Sequence, residues 1–83
     1  MDDLKYPIAT EKAVRLIESD NVITFVVGVK SSKQMIKSEL EKKFKVKVDS
    51  IKTVMSMKGK KKAYIRLKPE FPAIDIATQL GLM

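Results

Sequence analysis

Between Lys62 and Lys68 the chain alternates without a break: Ala63, Ile65 and Leu67 are apolar, and Lys62, Tyr64, Arg66 and Lys68 stand between them. A period of two predicts a strand with one buried face. Its opposite face then carries a cationic row with one aromatic in it. Upstream, NVITFVVGVK is apolar on both faces, with Ile23, Phe25, Val27 and Val29 on one and Val22, Thr24 and Val26 on the other. That pattern predicts an interior strand covered on both sides, with Gly28 marking a bulge or a close approach. VKVDSIKTVMSM is a strand with a phase break. Val46 and Val48 share one register, and Ile51, Thr53, Met55 and Met57 share the other, so a bulge near Asp49 and Ser50 is needed to reconcile them. Between this strand and the alternating one that returns after it, MKGKKK predicts a hairpin tip carrying Lys58, Lys60, Lys61 and Lys62, with Gly59 taking a backbone angle that other residues resist.

Three segments read as helices. TEKAVRLIESD has Thr10 as its cap, Glu11 in its first turn, and Ala13, Val14 and Ile17 along one side. SSKQMIKSELEKKFK opens on a capping box from Ser31 to Gln34. Its Ile36, Leu40 and Phe44 recur every four residues, Glu39 and Lys43 form a helper pair, and Lys33, Lys37 and Lys42 dominate the outer face. PEFPAIDIATQLGLM places Pro72 in a first turn, Phe71 as a staple, Gly81 at the end, and an apolar stripe of Ile74, Ala77 and Leu80. LKYPIA, with Pro7 holding Tyr6 extended, reads as a short strand or an extended lead-in.

The order strand–helix–strand–helix–strand–strand–helix predicts an α+β fold, an α/β sandwich. A right-handed crossover leaves a slot between two parallel strands, and the return strand of the hairpin fills it antiparallel to both. The expected sheet is four-stranded, mixed and antiparallel-rich, contains a split β-α-β unit, and has helices packed on it. The 83 residues are expected to form one domain, 1–83, burying roughly 60% of the surface its unfolded chain exposes.

Charge changes this picture by its distribution. The net +7 resolves into −2 over residues 1–20, +11 over residues 30–68 and −2 over residues 69–83. A basic middle with acidic ends points to a polyanion-binding face on a folded domain. There is no Cys and no His, which excludes disulfides, thiol chemistry and the usual zinc sites. No apolar run approaches membrane-spanning length and MDDLKYP is acidic where a signal peptide is basic, so no membrane insertion and an intracellular location are expected.

Catalysis has little to work with. Acid–base and nucleophilic routes lack His and Cys, Asp2 and Asp3 sit at a terminus, Glu39 and Glu41 point apart on a helix, and three scattered glycines form no phosphate loop. The expectation is no enzyme, no cofactor and no metal. Nucleic-acid binding is better supplied: Lys58, Lys60, Lys61 and Lys62 suit phosphates, and Tyr64 and Arg66 suit stacking on unpaired bases or riboses. A solvated loop for the lysines, a sheet-covering ring for Tyr64 and an ordinary exterior for Lys33, Lys37 and Lys42 remain open alternatives. Charge alone does not separate RNA from DNA. A protein-interaction module with incidental charge is the competing class.

PIATEKAVRLIE, NVITFVV, SKQMIKSELEKKFKVKVDSIKT and KKAYIRLKPEFPAIDIATQLGLM resemble the large-subunit ribosomal protein L-twenty-three family over nearly the whole chain, most specifically at TEKA, FKVKV and KKAYIRL. The short hairpin and the AIDIATQLGL tail look like its archaeal branch. The resemblance implies the family's sandwich and a cytoplasmic location in the ribosome. It further implies binding to large-subunit ribosomal RNA beside the polypeptide exit tunnel, with neighbouring large-subunit proteins. Docking would be to the signal recognition particle, the translocation channel and nascent-chain chaperones. By the resemblance, Thr10, Glu11 and Lys12 match the TEK motif, and Glu11 matches the acid used for factor docking. Lys33 and Lys37 match basic positions opening the second helix, with Ser32 where Asn or Thr is common. Lys52 and Thr53 match an Asn-Thr pair, implying a phosphate contact at Lys52. Lys61, Lys62 and Tyr64 match KKAY. Lys45 falls at a second docking position where bacterial members can be acidic, a departure that counts against chaperone-type docking there.

Overall fold

The computed structural model describes residues 4–82; Asp2 and Asp3 lie outside them. In chain order the elements are β1 (Leu4–Pro7), α1 (Glu11–Asp20), β2 (Val22–Val27), α2 (Lys33–Phe44), β3 (Val48–Met55), β4 (Lys61–Leu67) and α3 (Ala73–Gln79). The four strands form one sheet in the order β1-β2-β4-β3. The return strand of the hairpin does fill the slot. Each neighbouring pair is antiparallel, so the sheet is antiparallel throughout its pairing rather than mixed. β2 and β3 run the same way but are separated by β4, so no parallel ladder forms.

Strand alternation divides the sheet into two faces. The first carries Ile23, Phe25 and Val27 of β2 beside Ala63, Ile65 and Leu67 of β4. They join Ile36 and Leu40 of α2, Ala73, Ile76 and Ala77 of α3, and Ile17 from the end of α1 in one buried cluster. Each fully buried Ile or Leu there contributes about 1.5–3 kcal/mol. On the second face, Val22, Thr24 and Val26 of β2 lie opposite Arg66, Tyr64 and Lys62 of β4, and these in turn lie opposite Ser50, Lys52 and Val54 of β3. All six residues of β2 are buried, as its two apolar faces predict.

The local signals account for most ends. Thr10 Oγ1 accepts the Ala13 N–H at 3.3 Å and caps α1. α2 is capped by Ser32, whose side chain accepts from the Met35 N–H, not by the expected Ser31. Ser31 is buried and approaches Gly28 so closely that a Cβ there would lie 2.7 Å from its Oγ. Gly28 is therefore a close approach, and Val29, just past the strand, is 53% exposed instead of continuing its face. The register slips between Val48 and Ser50, which is the bulge that the phase break required. Pro72 caps α3 from outside its first turn, and the buried positions are Ala73, Ile76 and Ala77, so Ile74 faces outward at 43% exposure.

α2 crosses the first face and fastens both edge strands. Glu39 Oε2 accepts the Leu4 N–H of β1 at 2.8 Å, and Glu41 Oε2 accepts the Val48 N–H of β3 at 2.9 Å. The two carboxylates do point apart, and each satisfies a strand-end donor.

Candidate nucleic-acid interface

The second face gathers cations from several elements. Lys62 and Arg66 project from β4 and Lys52 from β3, as the register requires. Tyr64, half-buried, lies between Thr24 and Lys52 across the sheet. At one end Tyr6 of β1 lies opposite Val26, and Lys60 reaches back to it: the Lys60 ammonium donates to the Tyr6 hydroxyl at 3.2 Å and stands 5.8 Å from the ring centre. Tyr6 is thus an exposed second aromatic on this face, which the sequence reading passed over as part of a lead-in. A period of two from Leu4 would put Tyr6 on the buried first face; the register slip between Leu4 and Tyr6 turns it to the second face, and no local pattern marks that slip. Arg66 shares a shallow cleft with Glu18, Asp20 and Asp49, which partly offsets its charge.

The first turns of α1 complete the site. Ile8, Ala13, Leu16 and the Tyr64 ring give apolar walls to a recess of about 180 Å³. Thr10, Lys12, Thr24 and Lys62 contribute its polar groups. Glu11, next to two of these residues in sequence, is 81% exposed and ion-paired to Arg15 at 2.8 Å. The helical turn sends Lys12 toward the recess and Glu11 toward solvent.

The other nominated residues fall elsewhere. Lys58 stays in the hairpin turn, closed by Ser56 N–H to the Lys60 carbonyl at 2.7 Å with Gly59 at φ +78°. Lys61 and Lys62 do not belong to the tip, because β4 already includes them, paired to Val27 and Val26. Lys61 also points to the first face, where its ammonium donates to the Ser31 carbonyl at 2.7 Å. Thr53, opposite Ala63, faces that same side, so the neighbours Lys52 and Thr53 serve opposite faces. Lys33 and Lys37 border a groove between α2 and the start of β3, away from the second face. Lys45 ends α2 in the left-handed region at φ 55°. It lies toward the end of the sheet where Lys47 meets Lys68, whereas Glu11 stands between Thr10 and Lys12, which line the recess together with Lys62. The structure therefore does not bring the two docking positions together.

The arrangement offers ammonium and guanidinium groups, two phenol rings and hydroxyls. Among the described residues no group of three or more His, Cys, Asp or Glu could hold a metal ion, and no helix is long and apolar enough to cross a membrane. Compared with known families, residues 2–73 match the family model of ribosomal protein L23.

Proposed function

Because the chain belongs to the ribosomal protein L23 family, it is a structural protein of the large ribosomal subunit, and we propose that the second face of its sheet binds large-subunit ribosomal RNA through backbone phosphates. The family indicates a structural, non-enzymatic role and a place in the cytoplasmic ribosome among RNA and neighbouring proteins. The observation that carries the RNA reading is convergence. Lys12, Lys52, Lys60, Lys62 and Arg66 come from α1, the hairpin and its two strands to one face that also holds Tyr6 and Tyr64. In this reading residues 1–83 act as one RNA-binding domain. Lys58 and the half-buried Lys61 are secondary, Thr10 holds the rim of the recess, and Lys33, Lys37 and Thr53 serve a separate contact on the α2 side.

The test is a salt series on purified large-subunit RNA. Neutralising about five phosphates at roughly 0.7–0.9 each gives a log–log slope near −3.5 to −4.5. A slope shallower than −1 would favour the competing class, a protein-docking module whose charge is incidental.

The finer placement follows the resemblance. The protein sits beside the polypeptide exit tunnel, is of the archaeal type with its short hairpin, and turns Glu11 outward toward the signal recognition particle and other nascent-chain factors. The support for Glu11 is its orientation away from the cationic recess. Lys45 is a weaker second point because it lies elsewhere on the fold.

A further inference from the structure

We propose that the recess between α1 and the second face seats one unpaired RNA base, with the Thr24 hydroxyl as its buried hydrogen-bonding partner. The inference rests on the reading of that face as RNA-binding and specifies what one part of it recognises.

Thr24 is the starting observation. It lines the recess, it is 2% exposed, and its Oγ1 is covered and has no hydrogen-bond partner among the described residues, so a base bonds it only once the side chains over it turn aside. A buried hydroxyl left unpaired is costly, whereas a group of the same shape without the oxygen is not. The residues flanking it on the same face of β2 are Val22 and Val26, so a third valine would fit the pattern of the strand. The hydroxyl therefore calls for a partner from outside the chain.

The walls decide what kind of partner. Lys12 and Lys62 offer a phosphate their ammonium groups, but Ile8, Ala13, Leu16 and the Tyr64 ring would strip water from one seated against them. The same walls suit a flat heteroaromatic base, whose edge can both donate to and accept from a hydroxyl. Lys12 and Lys62 stand where the phosphates on either side of that base would pass. A volume of about 180 Å³ lies below the roughly 300–1,000 Å³ of drug-sized sites, which limits the occupant to a single base. An apolar side chain from a neighbouring protein would fill the walls but leave Thr24 Oγ1 unpaired.

The first experiment is Thr24→Val, which removes the oxygen at nearly constant shape. The expected result is an unchanged or higher melting temperature, an affinity for purified large-subunit RNA lower by about three- to tenfold, and an unchanged salt slope, since no phosphate contact is lost. Unchanged RNA affinity would overturn the proposal. Failure of the broader reading shows differently, as a shallow salt slope in the unaltered protein. The second experiment titrates the unaltered protein with each of the four nucleoside 5′-monophosphates and, separately, with inorganic phosphate, following the methyl resonances of Thr24, Ala13 and Leu16. Shifts with at least one nucleotide and none with phosphate at equal concentration are expected. Equal shifts with phosphate would make the recess an anion site, no shift with any nucleotide would leave it to protein or water, and either result overturns the base.

Discussion

Asn21 joins the end of α1 to the far end of the chain with one side-chain amide. Its Nδ2 donates to the Leu67 and Phe71 carbonyls at 3.1 Å and to the Lys68 carbonyl at 3.3 Å, and its Oδ1 accepts the Ala73 N–H at 2.6 Å. Its backbone takes the left-handed region at φ 57° and returns an N–H to the Leu16 carbonyl. Asparagine tolerates that angle better than most residues with a Cβ. Two substitutions separate the contributions. Asn21→Gly keeps the angle and loses the four side-chain bonds, for an expected cost of about 2–6 kcal/mol at roughly 0.5–1.5 per bond. Asn21→Ala adds the strained angle, about 1 kcal/mol more. Urea denaturation of both variants checks the order, and equal costs would show that the turn relaxes when the amide is gone. No local pattern announces this residue, because its partners lie 46 to 52 positions away in sequence.

In the hairpin, the consecutive lysines Lys60, Lys61 and Lys62 divide between two faces. Lys60 and Lys62 belong with the second face, the side proposed to meet RNA, while Lys61 is spent inside on the Ser31 carbonyl. Replacing Lys60 and Lys62 together with Ala should make the salt slope shallower by about 1.4–1.8, two phosphates at roughly 0.7–0.9 each, with little change in melting temperature. Lys61→Ala should do the reverse, costing about 1 kcal/mol of stability and leaving the slope alone. Paired thermal melts and salt series on the two variants decide between these patterns, and a slope change in Lys61→Ala alone would show that the strand is drawn one residue out of register. The alternation of β4, the cap of α1 and the bulge in β3 were legible because each is written within a few neighbouring residues. The extent of β4 was not, because pairing with Val27 and Met55 extends the strand into what looks like a lysine loop. The buried side of α3 was misread for a similar reason. Ile74 is the more hydrophobic residue, but docking on α1 and β2 selects the small Ala73 and Ala77 for close approach. For the site, the cationic row on β4 was visible in advance, whereas the arrival of Lys12 and Tyr6 beside it depends on how α1 and β1 lie against β2.

For the molecule as a whole, charge and topology have separate consequences. The acidic first segment is remote from the basic centre in sequence but not in space, since α1 opens beside Lys62 and Tyr64. The outward turn of Glu11 keeps that carboxylate clear of the recess, whereas Glu18 and Asp20 share a cleft with Arg66. Glu11→Ala should therefore reduce the affinity of assembled subunits for the signal recognition particle about two- to fivefold, the scale of one exposed charge pair, with incorporation into subunits unchanged. Reduced incorporation with normal factor affinity would assign Glu11 to the RNA side instead. Topology acts during synthesis. The central partner of β2 is β4, and everything from Gly28 to Lys60 must be made before that partner exists. Until then β2 can pair only with β1, and a two-stranded sheet is marginal by itself. The rate-limiting step of folding should be the closure of that long intervening segment, which places Ile65 in the nucleus and α3 outside it. In stopped-flow measurements Ile65→Val should slow folding, while Ile76→Val should mainly speed unfolding. A chain halted at Lys60 would hold two apolar strand faces and a net positive charge with nothing to close them, so nascent copies stay adhesive polycations until β4 is translated.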